Sequence, residues 1–304
     1  MTGHMKNISH SVKERLRNVA EDAKENFQFV LTRYAIERLL FRLAQSPHRD
    51  SFILKGAILF QVWTGTIHRA TKDLDLLGYG ENSTERIKDV FRDVCRLAVD
   101  DDGLTFNTES MRVERIKEDD NYEGVRLHFD ALLERARIRL QVDIGFGDAI
   151  TPAAVEAEYP TLLNFTAPRL RVYPKETVVA EKFHAMVSLG IANSRLKDFY
   201  DVWTLAKNFA FEGSLLSRAI AATFKRRHTE IPRTTPLALT VEFATDQSKA
   251  KQWQAFLSRS KLASRQSDFG EVVALLQKFL WPPTEVLLSG SKPPEIWSPS
   301  GPWQ

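Results

Sequence analysis

The stretch Arg69-Ala70-Thr71-Lys72-Asp73-Leu74-Asp75-Leu76-Leu77 decides how this chain is read. From Thr71 to Leu77 polar and apolar residues alternate, which is the period of a half-buried β-strand. Thr71, Asp73 and Asp75 then share one face, while Leu74 and Leu76 point to the core. At a rise of about 3.3 Å per residue, the two carboxylates stand roughly 7 Å apart. Like charges held that close cost free energy unless a cation lies between them. Magnesium suits such a pair, with manganese the alternative, because it takes one or two carboxylates together with phosphate oxygens and water. The same spacing also occurs on solvated strand edges, so the surroundings have to decide.

Upstream, Phe52-Ile53-Leu54 leads into Lys55-Gly56 and then the apolar run AILFQVW. This predicts a strand, a tight turn at Gly56 and a buried helix. A glycine there lets the backbone approach a phosphate, and a helix N-terminus supplies N–H donors. A plain turn glycine would fit the same residues, and there is no G-x-x-x-x-G-K-[ST] phosphate loop. Residues 27–43 (FQFVLTRYAIERLLFRL) carry a broad apolar helical face that ends before Pro47, and Thr84 to Val99 is helical in period.

Downstream, Val125 to Ala131 places Val125, Leu127 and Phe129 on one face of a strand. Arg137 to Phe146 places Ile138, Leu140, Val142, Ile144 and Phe146 together, with Arg139, Gln141 and Asp143 opposite. If that strand pairs beside Thr71–Leu77, Asp143 becomes a third carboxylate. Three acids on adjacent strands can hold two metals for an in-line displacement. Alternatively, Asp143 ends its strand before the turn at Gly145-Phe146-Gly147.

The back half differs in kind. Helical patterns run from Thr177 to Leu189, Arg195 to Phe209, Ser214 to Arg226, Asp246 to Arg259 and Asp268 to Trp281. The order predicts an α+β fold: a core with N-terminal helices over residues 1–175, then a mainly helical domain over 176–281. Residues 282–304, rich in Pro and Ser, read as an extended or disordered tail. Lys182 borders the apolar side of its helix, where a lysine is seldom buried without a partner, and a phosphate or Asp198 would explain it. Arg195, Asp198 and Asp201 fall on one helical face. A cap at Ser194 with two acids near the positive helix end accounts for the same letters.

The length, 304 residues with 43% hydrophobic and 27% charged, allows one large domain or two medium ones. No uninterrupted apolar run reaches the roughly 18 residues of a membrane span. The N-terminus lacks the apolar segment of a secretory signal, so a cytoplasmic protein is expected. The single Cys95 excludes an intramolecular disulfide and a cysteine-based zinc site, and its apolar register predicts a core residue. Between Lys182 and Trp281 fifteen Lys or Arg face eight Asp or Glu, so this stretch carries +7 of a net +3 and leaves −4 elsewhere. That asymmetry suits a cation site in front and a polyanionic partner behind, or equally a solvated basic surface.

With these residues in view, the chain resembles the AbiEii-like nucleotidyltransferase toxins of bacterial toxin–antitoxin systems, which include the MenT-type enzymes. The matching words are FILKGAILF, RATKDLDL, RLQVDIGFGD, YPKETVVAEKFHAMV and NSRLKDFYD, with NFQFVLTRYAIERLLFRL before them, spanning about Asn26 to Phe209. Lys55-Gly56-Ala57 departs from the Lys-Gly-Gly frequent in that family. The resemblance implies a DNA polymerase beta-like core with a mixed sheet and a helical C-terminal domain that contributes Lys182 and Asp198 to the site. It implies Asp73 and Asp75 as metal ligands, Asp143 in the place of a third acid, Lys182 as the triphosphate-contacting lysine and Asp198 as the essential acid after it. Lys55, Gly56, Arg69, Thr71 and Arg195 are the further expected nucleotide contacts. The expected reaction is Mg²⁺-dependent transfer from an NTP to an acceptor, the 3′ end of tRNA or another RNA, opposed by a cognate antitoxin. Two other readings stand beside it: a protein-directed nucleotidylating or phosphorylating enzyme using the same site, and a non-catalytic nucleic-acid-binding module.

Overall fold

The computed structural model describes residues 2–304 except 67, 70, 72, 120, 121 and 261–267, and leaves out the side chains of 2–7, 117–119, 122 and 123. The chain divides into two compact units, one of residues 1–147 with 155–172 and one of residues 148–154 with 173–304.

The first unit opens with helices α1 (Thr2–Asp22) and α2 (Phe27–Gln45). Asn26 caps α2 by accepting the Phe29 N–H, as the preference for a short polar side chain at that position requires. Then follow β1 (Phe52–Lys55), α3 (Leu59–Thr64), β2 (Asp73–Gly78), α4 (Thr84–Arg96), β3 (Leu104–Asp119), β4 (Tyr122–Leu133), β5 (Ala136–Phe146), β6 (Val155–Glu158) and β7 (Arg169–Val172). The seven strands form one mixed sheet in the order β3-β4-β5-β2-β1-β7-β6. The β2–β5 and β1–β7 pairs are parallel and the others antiparallel.

Register makes the two faces chemically opposite. Val125, Ile144, Leu76, Leu54 and Val172 lie side by side across five strands, and all are buried. One residue along, the neighbours are Glu114, Arg126, Asp143, Asp75 and Lys55, a charged row on the other face in which the adjacent acids Asp143 and Asp75 are flanked by Arg126 and Lys55. A slip of one residue would bury the charged row, so this pairing is strongly specified. Cys95 is buried on α4 as expected, and burial pushes its thiol up to about 12.

α2 also carries a buried ionic cluster. Both oxygens of Asp102, just ahead of β3, accept from Arg42 at 2.6 and 3.1 Å, and Arg38 Nε adds a bond at 3.0 Å. Burial alone would raise the Asp102 pKa, but the two guanidiniums overcome it and hold the carboxyl below its ordinary range. Neighbouring Glu37 has the opposite balance. Its Oε2 accepts the Leu162 N–H at 2.8 Å, yet burial dominates and pushes its pKa from 4.5 up to about 7. A raised acid contributes stability below pH 4.5 that is lost as pH rises through 7. The wild-type chain should lose roughly 3 kcal/mol across that window on this account. Glu37→Gln keeps an acceptor for Leu162 and should remove that loss. Urea midpoints at pH 5 and pH 8 that move equally in wild type and E37Q would refute the assignment.

The second unit is built from α5 (Lys175–Leu189), α6 (Leu196–Asn208), β8 (Phe211–Glu212), α7 (Gly213–Arg226), α8 (Val241–Thr245), α9 (Gln247–Arg259), α10 (Phe269–Ser289) and β9 (Ile296–Trp297). Here the expectation of a tail over 282–304 is corrected. α10 continues through Pro282 and Pro283 to Ser289, and Trp297 is buried with its indole N–H on the Ala206 carbonyl at 2.7 Å. The physical reason is local compensation. Pro283 has no N–H to offer the Phe279 carbonyl four residues earlier. The indole N–H of Trp303 donates to that carbonyl instead, at 3.1 Å. The rings of Phe279, Trp297 and Trp303 pack together, with centroids 5.0 to 5.9 Å apart. Among the described residues no helix is long and apolar enough to cross a membrane.

Candidate active site

The acid pair lies on β2 as the alternation implies. Asp73 and Asp75 are half-buried on one face, and Leu74 and Leu76 are fully buried on the other. Asp75 sits level with Asp143 of parallel β5 on one side and with Lys55 of antiparallel β1 on the other. Adjacent strands are about 4.8 Å apart, so these side chains are immediate neighbours on the charged face.

Gly56 explains why the turn after β1 can lie against that face. Its φ is +81°, a left-handed conformation. A Cβ added there would fall 2.0 Å from an oxygen of the Asp75 carboxylate. The missing side chain therefore leaves the space that the carboxylate fills. Gly56→Ala should cost about 1–3 kcal/mol through strain and collision. The same change should displace Asp75 and weaken divalent-cation binding. Calorimetric Mn²⁺ titration of G56A giving wild-type affinity would contradict this placement.

Arg69 and Thr71 line a small cavity of about 20 Å³ with Ala57, Ile58, Gln61, His68 and Tyr159. Two of the expected phosphate contacts, Arg69 and Thr71, thus lie beside Ala57 of the turn after β1. His68 is buried and stacks on Phe60, with ring centroids 3.8 Å apart.

Asp143 is the buried neighbour of Asp75, and its carboxylate is engaged. Arg126 on β4 grips it with two parallel bonds of 2.8 Å, and the Gln141 amide adds a third contact. That carboxylate, first among the causes, raises the Arg126 pKa, and the charge of Asp73 contributes. Arg126 was missed in the sequence. The signal was present, because the alternation that puts Val125, Leu127 and Phe129 inside puts Arg126 and His128 on the face of Asp143 and Gln141. Among the described residues no group of three His, Cys, Asp or Glu is arranged to hold a metal. Two hard carboxylates on one face fit a divalent ion that takes its remaining ligands from substrate and water.

In the second unit, Lys182 of α5 meets α6. Its ammonium lies 2.6 Å from Asp198 Oδ1 and 2.9 Å from Asp201 Oδ2, and both acids are essentially inaccessible. Arg195 Nε forms an ion pair with the other oxygen of Asp198 at 2.7 Å, without hydrogen-bond geometry. Burial would raise the Asp198 pKa, but Lys182 and Arg195 outweigh it and hold the carboxyl below its ordinary range. Ser194 does not cap α6, since Asn193 Oδ1 accepts the Arg195 N–H at 2.8 Å instead. Lys249 of α9, one of the fifteen cations between Lys182 and Trp281, is buried and donates to the Asn193 carbonyl at 2.8 Å. It holds the loop that carries Arg195. Lys261 and Arg265 of the same basic run lie outside the described residues.

The sequence profile described as "Nucleotidyl transferase AbiEii toxin, Type IV TA system" matches residues 38–275. This chain belongs to the AbiEii nucleotidyltransferase toxin family. It is a nucleotidyltransferase, and enzymes of this kind use an NTP and a divalent metal. The match runs past Phe209, where the word-by-word resemblance ended, so the later helices belong to the family pattern. Membership in a toxin–antitoxin family implies an antitoxin partner. The crystal structure of JHP933 from Helicobacter pylori is similar in fold, with a TM-score of 0.50 at 14% identity over 88% of this chain and 99% of that one. A second H. pylori structure, described as a candidate nucleotidyltransferase, matches with the same figures. No curated protein matches the chain.

Proposed function

We propose that this chain is a magnesium- or manganese-dependent enzyme with a DNA polymerase beta-like core that moves a nucleotide from an NTP to the 3′ end of tRNA. The consequence would be growth arrest until the antitoxin neutralises it in the cytoplasm. The observation that carries the reading is the Asp73–Asp75 pair on one face of β2, with the Asp75 carboxylate seated against the bare Gly56 backbone. A bound divalent ion would neutralise charge on the triphosphate oxygens.

The chain's own groups supply positioning and electrostatics. Asp73 and Asp75 hold the ion. Asp143, expected as a third ligand, could join them only by giving up bonds to Arg126, so its first role is to orient that guanidinium. Lys55, Arg69, Thr71 and the Gly56 turn contact phosphate. From the helical unit, Lys182 supplies the triphosphate-contacting cation, and Arg195 adds charge. Asp198 is held ionised by Lys182 and Arg195, which suits it to fix the lysine rather than to take a proton. The acceptor hydroxyl attacks the α-phosphorus with its proton passing to Asp143 or to water, and pyrophosphate leaves.

Incubation with each α-labelled NTP separately, total tRNA and cell extract tests this. Label on tRNA that disappears with EDTA supports it. Label on protein would redirect the activity to a protein hydroxyl, and no transfer with either metal would overturn the reading.

A further inference from the structure

The helical unit carries a groove outside the Lys182–Asp198–Asp201 network, open between the start of α6 and one face of α9. Its volume is about 420 Å³, and its lining is Ser194, Arg195, Leu196, Lys197, Gln252, Phe256 and Arg259. That size lies within the range of ligand sites. Every charge in the lining is positive, and Lys197 and Arg259 are exposed. Gln252, Phe256 and Arg259 recur at helical spacing and so share a face of α9.

Two features distinguish this groove from a merely solvated basic surface. Phe256 is half-buried and held by Tyr200 and Trp253, with ring centroids 5.7 and 5.6 Å away, so it is a fixed aromatic platform. The Oε1 of Gln252 is buried and has no hydrogen-bond partner among the described residues. An acceptor left in that state costs free energy that a ligand donor would recover. Cations for a phosphodiester, a ring for a base and an acceptor for an amino or hydroxyl group are together the requirements of single-stranded RNA.

We propose that this groove binds a nucleotide of a single-stranded RNA segment, its phosphates on Lys197 and Arg259, its base against Phe256 and a donor on Gln252. Arg195 reaches from the groove wall to Asp198, so the bound strand would lie beside the network that holds Lys182. The proposal deepens the RNA-acceptor reading above, but binding can be measured without any transfer.

The test is fluorescence anisotropy of a labelled single-stranded RNA oligonucleotide on the full chain across a salt series. K197E and R259E should each weaken binding about tenfold near 0.1 M salt and flatten the salt slope by about 0.7. F256L should weaken binding about tenfold with little change in slope. K225E, an exposed reversal on α7 outside the groove, should stay within twofold of wild type. Because Phe256 packs in a ring cluster, F256L counts only where its melting point is kept, and the two exposed reversals decide without it. Equal losses in K225E, or a free NTP competing as well as the oligonucleotide, would overturn the proposal. RNA binding without transfer would leave the groove standing and count against the catalytic reading alone.

Discussion

D73A and D75A should each lose nucleotide transfer by at least about 10³-fold in kcat/KM, since metal-borne charge stabilisation is worth several kcal/mol in phosphoryl chemistry. The fold should survive, because both side chains are half-buried on the charged face while Leu74 and Leu76 on the same strand keep the core intact. D75A also takes the carboxylate from beside the buried Lys55, so that variant should melt somewhat below wild type while still unfolding cooperatively. The wild-type chain should gain thermal stability on adding Mg²⁺, and the variants should not. Label-transfer rates and melting curves with and without metal check both parts. A variant retaining a tenth or more of the activity would remove the acid pair from the mechanism.

The second large effect is expected from Lys182→Met. This change takes away the ammonium between Asp198 and Asp201, which are 1% and 0% exposed. Breaking a buried ion pair from one side costs about 3–5 kcal/mol, and because Arg195 still lies 2.7 Å from Asp198 the loss should fall toward the lower end of that range. The pH dependence has a definite sign. The Asp198 pKa is depressed in the folded chain, so its contribution is present above the ordinary carboxylate range and lost as pH falls through the depressed value. Without Lys182 that acid-side loss should shrink. The triple variant K182M/D198N/D201N removes both buried carboxylate charges and should recover part of the stability while transfer stays absent. Denaturant midpoints and transfer rates on both variants separate the two roles. Recovery of transfer in the triple variant would make Lys182 purely structural.

Some elements were legible because a short-range rule governs them. The alternation in Asp73–Gly78 and Ala136–Phe146, and the apolar face of Phe27–Gln45, reflect which side of each element meets the core. β3 was not legible, and its bulge is the reason. Leu104, Phe106 and Thr108 are buried, then the register shifts between Asn107 and Arg112, and Met111 becomes the buried residue. The phase of the alternation flips inside one strand, so no single period fits it. Lys249 shows a different failure. A lysine is seldom buried, and here the Asn193 carbonyl and the ring of Phe243, 5.3 Å away, receive its ammonium.

The amino-acid sequence by itself determined the mixed front and helical back, the acid pair on one strand face, the glycine turn before it and the family. Each is a local pattern of side-chain type against backbone period. Tertiary structure alone decided that Asp143 is gripped by Arg126, that Lys182 sits between two inaccessible acids, and that Trp303 completes the carbonyl Pro283 leaves open. Those facts depend on strand register and helix packing, which bring together residues whose separation along the chain carries no periodic signal.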